Sequence, residues 1–119
     1  MAADAPHDLA NHLPPALTPV ARLALNLRWV WNHGADRVWE ALNAEVWLQT
    51  RNPVLVVQNT PRSRFEELAH DAEFVERVRR LDRLEAEYLS RPGWFQQNCS
   101  LDPPPLIAYF SMEYGITDA

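Results

Sequence analysis

Three consecutive prolines, Pro103-Pro104-Pro105, stand directly before the apolar run Leu106-Ile-Ala-Tyr-Phe110, and this junction constrains the fold more than any other stretch. Proline removes a backbone donor and pushes the residue before it out of the helical region, so no helix runs into Leu106 from upstream. The run itself is short, rich in strand formers, and offers apolar side chains to both faces, as a parallel strand covered on each side does. A single strand leaves its own backbone groups unpaired. The tail therefore reads as the first strand and loop of an α/β domain whose remaining strands lie outside these 119 residues.

Upstream of the prolines the pattern is helical. Residues 1–16 are rich in Ala, Pro, His and Asp without periodicity and read as a disordered arm. Thr18-Pro19 is a cap followed by a proline at the first helical position. It predicts a helix over 19–32, closed by Gly34, with Val20, Leu23, Leu27, Val30 and Trp31 in one buried stripe. Leu25 and Trp29 lie off that stripe, and so wide an apolar arc implies burial on more than one side. A second helix is expected from Gly34 or Asp36 through Leu42, with Val38, Trp39 and Leu42 inward, and 45–49 add a further turn.

Asn52-Pro53 repeats the cap-and-proline signature ahead of Val54-Leu-Val-Val57. Periodicity alone permits a strand there; the short span to Thr60-Pro61 favours a helical turn. Ser63-Arg-Phe-Glu66 has the capping-box pattern for a short helix to Ala69. Asp71 caps the longest helix, 72–90, in which Phe74, Val78, Leu81, Leu84 and Tyr88 recur at helical spacing and form an inward face. Pro92-Gly93 ends it. The expected architecture is mainly α: a disordered arm 1–16, a helical domain 17–95, a proline-rich linker 96–105, and one C-terminal β-strand with its loop, 106–119, from an incomplete α/β domain of nucleotide-binding type.

Composition narrows the chemistry. All eleven cationic side chains are arginine, so the chain has no lysine. Gly34, Gly93 and Gly115 are too scattered for a phosphate-cradling loop. Cys99 is alone, which rules out an internal disulfide framework. His7, His12, His33 and His70 lack the spacing and thiolate partners of a zinc site. No metal-binding, cofactor-binding or catalytic residue is assigned. The first fifteen residues carry no positive stretch ahead of an apolar core, and the apolar runs fall far short of the ~20 residues of a membrane span. A cytoplasmic protein without a membrane partner is expected.

Arg77, Arg79, Arg80 and Arg83 share a helix with Glu73, Glu76, Glu85 and Glu87, at spacings that pair Glu73 with Arg77 and Glu76 with Arg80. With a net charge of −5, this is a solvated ion-pair face and not a nucleic-acid stripe. Trp29, Trp31, Trp39 and Trp47 lie in helical apolar patterns and are assigned to the core. Stacking of a tryptophan face on glucose is the alternative.

Ile107-Ala-Tyr-Phe-Ser-Met-Glu-Tyr-Gly-Ile116 is similar to the strand and loop, I-A-Y-F-S-x-E-[FY]-G-[LI], that opens the catalytic body of bacterial and archaeal α-glucan phosphorylases. Leu25-Asn-Leu-Arg-Trp-Val-Trp-Asn32, residues 48–54 with their Asn52-Pro53, and Tyr88-Leu-Ser-Arg-Pro-Gly-Trp-Phe95 resemble, in order, landmarks of the small helical domain preceding that body. The likeness covers roughly residues 17–116.

The resemblance implies an intact enzyme that releases glucose 1-phosphate from α-1,4-glucan with inorganic phosphate, using pyridoxal phosphate bound to a lysine. A chain without lysine has nowhere to hold that coenzyme as a Schiff base, so alone it is expected to be inactive and to pack against the remainder of the catalytic body. Glu113 matches the family's glutamate near the sugar pocket; a carboxylate just past a strand's C-terminal end stands where ligands bind in open sheets. A loop-fixing acceptor is the other role open to it. A free-standing helical adaptor and a small carbohydrate-binding module are the competing classes.

Overall fold

A computed structural model describes residues 6–99, and helix is the regular structure of all of it, with no strand among the described residues. Seven α-helices follow in order: α1 (Pro6–Asn11), α2 (Pro19–Leu25), α3 (Asp36–Thr50), α4 (Pro53–Gln58), α5 (Arg62–Ala69), α6 (Ala72–Ser90) and α7 (Trp94–Asn98). Three 3-10 turns, Pro15–Leu17, Leu27–Val30 and His33–Ala35, connect the first three helices. The expected strand, its loop and Glu113 lie outside the described residues.

Several helix starts follow directly from side-chain chemistry. The Asn52 side chain accepts from Val54 N at 3.0 Å and Leu55 N at 3.4 Å, and Pro53 fills the first helical position, so 53–58 is helix and not strand. The Asp71 carboxylate caps α6 in the same way, accepting from Glu73 N and Phe74 N. In α3 the backbone at Asn43 turns extended, with φ −155° and ψ 90°, which divides the helix where a separate further turn is expected. Asn43 Oδ1 accepts from Val46 N and so caps the second half. The Ala41 carbonyl loosened by this kink takes two bonds from the Arg64 guanidinium, at 3.1 and 2.8 Å.

Other starts differ from expectation. Thr18 is itself helical and its hydroxyl donates back to the Pro15 carbonyl, so Pro14-Pro15 rather than a Thr cap brings the chain into α2. The expected capping box does not form: α5 begins at Arg62 after an extended Pro61, and Ser63 lies inside the helix. The residues expected as a loose arm contain α1, and Leu9 and Leu13 are buried in the core. α7 occupies the start of the expected linker.

The core is one cluster. Leu17, Val20, Val38, Trp39, Val56 and Val78 are fully buried, and α2 lies across α4 and α6 while α3 packs on α4. Trp47 is buried and meets Trp29 in a T-shaped pair, centroids 6.4 Å apart and planes at 74°. Trp39 and Trp47 are thus core residues as expected. Trp31 and Trp94 are exposed, which removes Trp31 from the core.

Candidate functional site

The helix expected over 19–32 stops at Leu25, and that break opens a cleft against α6. Asn26 is extended, φ −87° and ψ 118°, and its Oδ1 accepts from Arg28 N at 2.9 Å. A short amide that bonds the backbone two residues on competes with helix continuation. The chain then turns as Leu27–Val30, and Asn32 repeats the device by accepting from Gly34 N at 3.2 Å before the His33–Ala35 turn. Gly34 therefore starts a turn instead of closing a long helix. A Cβ on it would sit 3.2 Å from Asn32 Oδ1, a tight contact with the capping oxygen, and at an ordinary contact distance of 3.8 Å from Leu81 Cδ2 on α6, so glycine relieves the turn itself.

Because the chain turns, the predicted stripe is lost past Leu23. Leu25 and Leu27 are exposed, Leu27 by 52%, and Trp31 by 67%. On α6 the apolar face also outruns the core: Phe74 and Val78 are buried and Leu81 is half-buried, but Leu84 and Tyr88 are 47% and 52% exposed. Between these two stretches of chain lies a cleft of about 210 Å³, whose walls include Leu23, Trp29, Leu81 and Leu84, with Arg28 and Arg80 among the lining; Leu25, Leu27, Trp31 and Tyr88 are outside the lining.

Three contacts hold the walls together. Asn26 Nδ2 donates to Glu85 Oε1 at 2.6 Å, Arg28 Nη1 donates to the Leu84 carbonyl at 3.4 Å, and Arg22 forms an ion pair with Asp82. The Arg28 guanidinium also lies over the Tyr88 ring, 4.4 Å from its centroid. Glu85, expected on a solvated face, is 6% exposed, and its Oε2 has no hydrogen-bond partner among the described residues. Its spacing from Val78 and Leu81 places it on the apolar face of α6, and that is the signal that identifies it.

Most of the remaining charges on α6 are exposed. Arg77 pairs with Glu73 at 2.8 Å as expected, whereas Glu76 pairs with Arg83 at 2.9 Å instead of Arg80. Arg80 has no ion-pair partner among the described residues. The Arg83 guanidinium, first by hydrogen bonding and then by charge, holds the Glu76 carboxyl below its usual pKa.

The cleft lining holds no hydroxyl, thiol or imidazole, so no nucleophile meets a base there. Pyridoxal phosphate does not fit it. Its cations are guanidiniums, which form no Schiff base, and its volume is below the roughly 300–1,000 Å³ of small-molecule pockets. Among the described residues no three His, Cys, Asp or Glu side chains gather as a metal site, and no helix is long and apolar enough to cross a membrane.

The cleft thus lies in a small helical cluster, between residues 26–35 and α6. The chain belongs to the family described as "Protein of unknown function (DUF3417)", which it matches over residues 13–119. It is 36% identical over 116 residues to a glycogen phosphorylase of Mycobacterium tuberculosis (strain CDC 1551 / Oshkosh), an alignment covering 90% of this chain and 13% of that protein. It is 32% identical over 112 residues to a maltodextrin phosphorylase of Thermococcus litoralis, covering 93% of this chain and 13% of the relative. The chain thus spans 13% of the length of these relatives and corresponds to their N-terminal region, in agreement with the resemblance read from residues 17–116. No solved structure matches it.

Proposed function

We propose that this chain is the non-catalytic N-terminal module of an α-glucan phosphorylase and packs against the rest of that enzyme. The reading rests on one observation: sequence identity to a glycogen phosphorylase and a maltodextrin phosphorylase runs through nine-tenths of the chain. The intact enzyme releases glucose 1-phosphate from α-1,4-glucan with inorganic phosphate, in the cytoplasm. Pyridoxal phosphate supplies acid/base chemistry there, on a lysine outside these residues. The part contributed here is a folded helical cluster whose cleft lining holds no hydroxyl, thiol, imidazole or lysine amine. Glu113 is the residue of this chain that we place nearest the sugar.

The chain alone, given glycogen and phosphate, is expected to release no glucose 1-phosphate, and borohydride reduction with pyridoxal phosphate is expected to leave no adduct on an internal residue. Glucose 1-phosphate release, or a pyridoxyl adduct located inside the chain by mass spectrometry, would overturn the proposal. For Glu113, Glu113→Gln in a phosphorolytically active enzyme carrying this chain lowers kcat/KM for glucan; an unchanged value removes it from the sugar site.

A further inference from the structure

Eight large apolar side chains are substantially exposed among the described residues, and all but Leu48 fall within 25–31 and 84–94. The first group, Leu25, Leu27 and Trp31, alternates along the chain with Asn26, Arg28, Trp29 and Asn32, which line one side of the cleft. The second, Leu84, Tyr88, Leu89 and Trp94, begins with Leu84 in the opposite wall and continues beyond the cleft through the end of α6 into α7. Isolated exposed leucines are ordinary; grouping of this kind marks a surface that another surface covers.

Two further observations specify the cover. Leu84 and Tyr88 continue the helical spacing of Phe74, Val78 and Leu81, so α6 is patterned for burial beyond the point where the described core ends. Arg28 and Arg80 bring two guanidiniums to the cleft without a carboxylate partner among the described residues, where the one carboxylate in the lining, Glu85, is buried and bonded to Asn26. The volume of about 210 Å³ suits protein side chains better than a whole small ligand.

We infer that this cleft face is where the rest of the enzyme docks, and that the partner segment inserts an apolar side chain flanked by a carboxylate that pairs with Arg80 and Arg28. The inference rests on the proposed function, since the partner is the remaining body of the same phosphorylase. Burial removes the exposed leucines and tryptophans from water, and desolvated guanidiniums gain from a planar carboxylate more than exposed ones do.

The test is thiol labelling in a Cys99→Ser background. Leu84→Cys reports on the cleft and Leu48→Cys on α3, outside it. Each is made in the 119-residue chain and in a chimera in which this chain replaces the matching N-terminal region of the Mycobacterium tuberculosis relative. Maleimide labelling at Leu84→Cys is expected to slow at least tenfold in the chimera, while Leu48→Cys reacts at the same rate in both. Adding Arg80→Glu is expected to restore much of the lost rate.

Equal rates for Leu84→Cys in a phosphorolytically active chimera would overturn the docking face. Slowing in the chain alone as its concentration rises would replace the partner with a second copy, and slowing by maltoheptaose would replace it with glucan; either overturns the inference. No effect of Arg80→Glu would overturn its acidic component. A chimera without phosphorolysis but with Leu84→Cys slowed counts against the proposed function and leaves the docking face standing.

Discussion

At Asn26 the two ends of one amide hold two elements: Oδ1 accepts the Arg28 N–H, and Nδ2 donates to the buried Glu85. Asn26→Asp keeps the first bond and sets a second carboxylate against Glu85, so thermal or urea unfolding at neutral pH should show a loss of ~1–3 kcal/mol. Adding Glu85→Gln supplies a donor in the other direction and should recover most of that loss; no recovery would show that the pair does not carry the contact. Glu76 illustrates the opposite, exposed case. Its depressed pKa means that the Arg83 pair stabilises above the unfolded-state pKa and ceases to do so as pH falls through the folded one. Arg83→Ala should raise the Glu76 midpoint in carbon-13 NMR and leave the neutral-pH melting temperature nearly unchanged, because both groups are solvated. Arg51 sits left-handed, at φ 48°, with its guanidinium 5.1 Å from the Trp47 centroid.

Among the elements, α4 and α6 were legible because their caps are local. An Asx residue, with a proline in α4, dictates where the first amides go before any tertiary contact exists. Asn52→Ala should accordingly cost ~1 kcal/mol in chemical unfolding. The break at Asn26 was illegible because apolar spacing over 19–32 is continuous, and the competing Asx bond is visible only once Glu85 anchors the other end of the amide. That break changes the energetics of a whole stripe. Leu27→Ala and Trp31→Ala should each cost under ~0.5 kcal/mol, as surface changes do, while Trp39→Ala should cost ~3–5 kcal/mol. A large loss for Leu27→Ala in the 119-residue chain would mean that residues 19–32 form the continuous buried helix after all. α1 left only a weak trace, Leu9 and Leu13 at helical spacing in a polar segment; their burial depends on the neighbours they meet.

For the whole molecule, Val20, Leu23, Val38, Trp39, Leu42, Phe74 and Val78 are core in sequence and fold alike, whereas Leu9 and Leu13 join the core from the expected arm and the apolar pattern of α6 extends past the core to Leu84 and Tyr88. Sequence patterning records every surface a chain buries, including those buried against a partner, and cannot separate the two. That is why Leu27, Trp31, Leu84 and Tyr88 read as core. The cleft itself was not legible, since it depends on where one helix stops. The same excess of apolar surface agrees with a chain that matches 13% of a glycogen phosphorylase. The most direct measurement is phosphorolysis of glycogen by the Mycobacterium tuberculosis relative in three forms: intact, lacking the matching region, and with that region replaced by this chain. The account predicts that the replacement restores glucose 1-phosphate release to within about tenfold of the intact enzyme, whereas the form lacking the region falls well below it. A folded replacement enzyme no more active than the form lacking the region would contradict the account.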